Sequence, residues 1–222
     1  MKHLSKLVFL GLFASSAAFA QGDKNFLPAE LNIGTSFGNA FAFYETTSEI
    51  GYHMFGLGYN FKDILTEGLT IAPTVAHIAG VNGAQNKNRV QLRATYTFLE
   101  KAFVRAEYRY TSGDKRVELT EPMSEYRNLN YKFDDQQRAR LGIGYDFGRV
   151  KLSYDVFAHR QDNDVIAARQ NRQEWTSQWI QADLNTGTGL TPFVRFTHTS
   201  DAGLAAGNRP DDKALFGLMY WF

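Results

Sequence analysis

Residue runs that alternate apolar and polar with period two recur along the chain. Four of them close on the tripeptide Tyr-x-Phe, and the connections between runs alternate short and long. Together these observations predict an all-β fold: a transmembrane antiparallel up-and-down β-barrel of ten strands, with twelve as the alternative. Both chain termini are expected on the periplasmic side. Side chains two apart on a strand share a face, so each Tyr-x-Phe offers paired aromatic rings to one side of the sheet.

From the N-terminus, the first element is a targeting segment. Lys2, His3 and Lys6 precede an apolar stretch from Leu7 to Ala20 that ends in Ala18-Phe19-Ala20. A basic head, an apolar centre and small residues at a cleavage point describe a secretory signal peptide. Residues 1–20 are therefore read as the signal and 21–222 as the barrel. That stretch falls short of the roughly 18 apolar residues a membrane helix needs, and it is the longest in the chain.

The predicted strands follow as Leu31–Tyr44, Ser48–Phe61, Leu69–Ile78, Arg89–Phe98, Ala102–Thr111, Arg138–Phe147, Val150–Phe157, Glu174–Leu184, Thr191–Thr199 and Ala214–Phe222. Arg89–Phe98 has the cleanest pattern. Val90, Leu92, Ala94, Tyr96 and Phe98 share one face, and Arg89, Gln91, Arg93, Thr95 and Thr97 share the other. In a barrel the first face meets lipid and the second lines the lumen. Leu31–Tyr44 keeps Leu31, Ile33, Phe37, Phe41 and Phe43 at odd positions, which predicts one long strand. A tight turn at Phe37-Gly38-Asn39-Ala40 is the alternative.

The connections sort the aromatic pairs. Tyr59/Phe61, Tyr96/Phe98 and Tyr145/Phe147 precede short links, and Tyr220/Phe222 ends the chain. An aromatic girdle at the periplasmic rim accounts for that sorting, with the longer, polar connections (79–86, 112–136, 160–172 and 200–212) on the extracellular side. Phe222 also reads as the signal taken up by the barrel assembly machinery.

Composition narrows the function classes. Removing the signal leaves 22 basic against 23 acidic residues, a net charge of −1. Nucleic-acid binding favours a clear basic excess. The chain has no cysteine, so an exported form is held by packing and hydrogen bonds instead of disulfides. His53, His77, His159 and His198 lack metal-ligand spacing, and no cofactor or metal is expected. His159 with Asp162, and His198 with Ser200, are the candidate catalytic pairs. Neither brings nucleophile, base and orienter together, so no catalytic residue is predicted.

The order and spacing of several segments resemble the oligogalacturonate-specific porin (KdgM-like) family, which includes the sialic-acid-inducible outer-membrane channel. They are Leu69-Thr70-Ile71-Ala72-Pro73, Val90–Phe98, Val104–Tyr110, Arg140–Phe147 and Thr191-Pro192-Phe193-Val194. The resemblance implies a monomeric barrel in the Gram-negative outer membrane that passes acidic oligosaccharides through an arginine-lined lumen. It also implies lipid and lipopolysaccharide as surroundings.

Strand phase places Arg93, Arg105, Arg109, Arg138, Arg140, Lys151 and Arg195 on the lumen side. Guanidinium groups stay charged and match carboxylates, and basic tracks in pores favour anions. The same phase points Glu107, Asp146, Asp155 and Asp183 inward, so a barrel plugged by ion pairs is the competing expectation. Gly56, Gly58, Gly142, Gly144 and Gly217 also face inward, leaving space or easing strand curvature. Phe157, Met219 and Trp221 interrupt the polar phase as a constriction. The function expected is passive diffusion of anionic sugars or oligosaccharides. A non-conducting structural or adhesive barrel is the alternative, and a barrel enzyme acting on lipid or peptide stands third.

Overall fold

The computed structural model describes residues 29–47, 52–80, 86–113, 116–117, 131–132, 135–162, 173–200 and 211–222. The signal peptide read at residues 1–20 lies outside the described residues, as do large parts of the longer connections. The strands are β1 (Ala29–Phe37), β2 (Ala40–Thr47), β3 (Tyr52–Tyr59), β4 (Phe61–Lys62), β5 (Leu69–Gly80), β6 (Lys87–Phe98) and β7 (Ala102–Gly113). After them come β8 (Arg116–Val117), β9 (Tyr131–Lys132), β10 (Asp135–Asp146), β11 (Val150–Asp162), β12 (Gln173–Leu184), β13 (Leu190–Thr199) and β14 (Asp211–Trp221).

Eleven of these strands close a ring in the order β3-β2-β1-β14-β13-β12-β11-β10-β7-β6-β5, with β3 paired back onto β5. Outside the ring, β4 adds two residues along β5, and β8 pairs with β9. Closure leaves no open strand edge, the condition for backbone to cross lipid.

The count falls between ten and twelve because Leu31–Tyr44 is a hairpin. Phe37 faces Ala40 across the two-residue turn Gly38-Asn39, and Gly38 takes the left-handed φ of 64° that such a turn needs. One extra strand makes the number odd. In a ring of otherwise antiparallel neighbours, an odd number forces one parallel seam, and β1 pairs with β14 in parallel from Ala29↔Phe216 to Gly34↔Trp221. Residues 1–28, and with them the N-terminal end expected on the periplasmic side, lie outside the described residues.

Burial gives the sense of the wall. Leu141 is 69% exposed and Ile143 58%, whereas Asp155 is 1% and Glu107 4% exposed. Apolar residues outside and charged residues inside invert the pattern of a soluble protein and fit a lipid-facing wall. The short connections 63–68, 99–101, 147–149 and 185–189, the Gly38 turn and Phe222 gather at one rim. Tyr59/Phe61, Tyr96/Phe98, Tyr145/Phe147 and Tyr220/Phe222 stand there with ring centroids 4.7, 6.1, 4.7 and 5.8 Å apart.

The outward face tests the lipid contact directly. Leu141 stands in register with Ala106 and Val156, in the middle of β10. Leu141→Arg is expected to cost about 2–4 kcal/mol of folding free energy in vesicles, the range for a cation near the bilayer midplane. Urea titration of the refolded barrel measures it, and an unchanged midpoint would place this face outside the hydrocarbon.

Candidate functional site

The inward cations of β6, β7, β10, β11 and β13 form a continuous charged layer. Glu107 is its hub. Arg93 stands opposite it on β6 and Arg140 opposite it on β10, so register alone brings both to the carboxylate. Arg138 reaches Oε1 at 2.7 Å and Arg93 reaches Oε2 at 3.0 Å, while Arg109 and Arg140 lie at 3.5 and 3.6 Å. Arg109 also donates to Gln91 Oε1 through Nε at 3.0 Å and Nη2 at 2.8 Å.

Asp155 is the second centre. Arg140 grips it in a fork, Nε to Oδ1 at 2.8 Å and Nη2 to Oδ2 at 2.9 Å. Arg105 binds the same carboxylate through Nε at 2.7 Å and through Nη2. Arg105 sits on β7 and Asp155 on β11, with β10 between them. Gly142 is the residue opposite both, and a Cβ there would occupy the place of Asp155 Oδ1. Arg195 likewise reaches past β14 to Glu30 of β1 at 2.8 Å, where Gly217 is opposite Glu30. Lys151 lies 3.9 Å from Asp183.

Rings carry the rest of the layer. The Arg138 guanidinium lies 4.7 Å from the Phe157 ring centre, and that of Arg195 lies 4.3 Å from Trp179. Phe103 lies under Arg105 and Lys151 at 5.4 and 5.3 Å. Such cation–π contacts hold long side chains against the wall.

Most of the cations are correspondingly enclosed. Side-chain exposure is 9% for Arg140, 12% for Arg138 and 13% for Arg195, against 39% for Arg93 and 42% for Lys151. Arg93 and Lys151 are the most accessible of the seven.

The inward glycines do not leave open space. Gly56, Gly58, Gly144 and Gly217 stand directly opposite Phe43, Phe41, Phe103 and Phe193, and a methyl group at any of them would collide with the facing ring. Gly34 is covered by Trp221 in the same way. Of the apolar interruptions, Phe157 is fully buried. Asp146 takes no place in the arginine layer, because its carboxylate accepts from Gly148 N at 2.6 Å in the turn.

Of the two candidate catalytic pairs, the side chain of Asp162 lies outside the described residues, and His198 does not pair with Ser200. His159 Nε2 contacts Ser177 Oγ at 2.8 Å, and Ser177 is 4% exposed. His198 Nδ1 meets Asp212 Oδ1 at 2.6 Å on the outer wall, and Ser200 bonds Thr176 instead. No group of three or more His, Cys, Asp or Glu among the described residues is placed to hold a metal.

Sequence reading missed Glu30, one residue ahead of the first predicted strand. It also missed Trp175 and Trp179, whose phase matches that of Ser177, Gln181 and Asp183.

The barrel matches a NanC porin with a TM-score of 0.59 at 14% identity, over 82% of this chain and 86% of that one. The chain has a porin fold. A loop-deletion mutant of OmpT, an outer membrane protein of Vibrio cholerae, matches with a TM-score of 0.45 at 10% identity, over 77% of this chain and 57% of that one. No family model and no curated protein matches the sequence. The porin fold here is thus recognised through its backbone and its inverted wall.

Proposed function

We propose that this chain is an outer-membrane channel passing small anionic sugars or oligosaccharides by passive diffusion. One observation carries the reading: among the described residues the seven cations of this layer share four carboxylates, Glu30, Glu107, Asp155 and Asp183, while Arg89 and Glu45 beside Arg109 add one charge of each sign. The excess positive charge lies inside a closed wall, where anions gain weak, repeated contacts and still leave. In this reading residues 1–20 direct export, and Phe222 is taken up by the assembly machinery. The Tyr-x-Phe pairs form the periplasmic girdle amid lipid, with lipopolysaccharide around the opposite rim. The barrel acts as a monomer.

The burial of Arg138, Arg140 and Arg195 favours a narrow bore, and a closed, structural barrel is the second reading. Recording the purified protein in a planar bilayer separates the two. Anion-selective conductance steps are expected; silence, or a preference for cations, defeats the channel.

Arg93 and Lys151 are the best-exposed cations, so together they govern the field a passing ion meets. Each removed charge changes the energy of a nearby ion by about 1 kcal/mol at the dielectric of water, roughly a five-fold change in relative permeability. Arg93→Ala with Lys151→Ala is therefore expected to shift the reversal potential in a salt gradient towards zero. An unmoved potential would place the ion path elsewhere.

A further inference from the structure

We propose that the inner face of β11 and β12 carries a stacking subsite for a ring-bearing carboxylate, built on Trp175 and His159 and completed by Arg138. This rests on the channel reading for how a solute arrives, but the subsite is defined by its own geometry. His159 and Trp175 stand opposite each other in register, with ring centres 4.8 Å apart and planes within 3° of parallel. Below them His159 meets Phe157 at 5.9 Å, and Phe157 meets Trp179 at 4.2 Å. Four rings thus form a ladder along the inner wall, in a phase otherwise given to polar residues. Ser177, opposite Phe157, leaves room for the rings to lean together, and its hydroxyl fixes His159 at 2.8 Å.

Burial grades along the ladder. Phe157 is fully enclosed beneath Arg138 and Arg140, whereas His159 and Trp175 are half-buried towards the rim of the longer connections. A flat, partly open pair of rings is a platform for another ring, whether the C–H face of a sugar or an arene. Arg138 stands directly opposite His159 on β10. Its Nη2 is bonded to Glu107 at 2.7 Å, and its buried Nε has no hydrogen-bond partner. A buried donor without a partner is costly, and a carboxylate matches the guanidinium fork. Platform and cation together select a solute with a ring and an acid on it, in preference to an acyclic acid or a neutral sugar.

Calorimetric titration of the detergent-solubilised full-length barrel tests this without requiring conduction. Glucuronate, benzoate, acetate and glucose are the probes. At least one ring acid is expected to bind saturably and about ten-fold more tightly than acetate and glucose, as stacking on an aromatic platform supplies. The tighter of the two ring acids distinguishes a sugar face from an arene. Trp175→Leu is expected to erase the preference, Trp175→Phe to keep most of it, and Trp221→Phe, far from the ladder, to leave it intact. Equal binding of acetate, absent saturation, or an unchanged preference in a folded Trp175→Leu barrel overturns the subsite. A barrel that binds ring acids without conducting defeats the channel reading alone. One that conducts without telling ring acids from acetate defeats the subsite alone.

Discussion

Glu107→Gln is expected to lower the unfolding free energy of the barrel by about 3–5 kcal/mol, the range for stripping a buried ion cluster of its counter-charge. The side chain keeps its shape but loses the charge that four guanidinium groups share at 2.7 to 3.6 Å. Arg140 retains Asp155 and Arg109 retains Gln91, so those two stay anchored. Arg93 and Arg138 lose their carboxylate, and Arg138 is left directly opposite Arg109 in register with nothing negative between them. Because the cluster is enclosed, salt screens the repulsion weakly, and the loss should persist at high ionic strength. Urea unfolding of the refolded protein in lipid vesicles, followed by tryptophan fluorescence, measures it. Glu107→Asp is expected to fall between the two. A change under about 1 kcal/mol, within the range of a surface pair, would mean that the arginines are solvated individually and that Glu107 is not a hub.

The outer wall was legible in the sequence because lipid imposes one rule on every strand. Val90, Leu92, Leu141, Ile143, Leu152 and Tyr154 follow it, and their neighbours therefore had to face inward. That logic placed all seven cations on the inner wall. It failed at Leu31–Tyr44 for a specific reason. A two-residue turn reverses the phase of the following strand, so Phe41 and Phe43 point inward although they share odd numbering with the outward Leu31 and Ile33. Inward phenylalanines look like lipid-facing ones until their partners are known, and those partners are glycines on the next strand. Phe43 over Gly56 and Phe41 over Gly58 are matched by cross-strand register, which one strand's periodicity does not contain. The same gap hid the Arg105–Asp155 ion pair that passes over Gly142. A ring or a long guanidinium crosses its neighbour where that neighbour has no side chain, so the glycines mark where the inner wall is knitted together.

Phe157→Ala tests whether the enclosed ring stabilises the wall and also sets the bore. The ring is fully buried, 4.2 Å from Trp179 and under the guanidinium of Arg138 at 4.7 Å and of Arg140 at 5.2 Å. Truncating a buried phenylalanine costs about 3–5 kcal/mol when the surroundings do not collapse into the space. Collapse is limited here, because the flanking arginines are tied to Glu107 and Asp155 and the backbone is tied into the ring of strands. The space should therefore persist and join the lumen. Two readouts are expected to move in opposite directions: stability falls, and single-channel conductance in symmetrical potassium chloride rises. Phe157→Leu, which retains part of the volume, should give smaller changes of the same signs. Lower stability with unaltered conductance would make Phe157 a structural ring beside the ion path. Higher conductance with full stability would mean the ring moves aside in the native barrel. The paired change alone requires one side chain to close the bore and brace the arginines that line it.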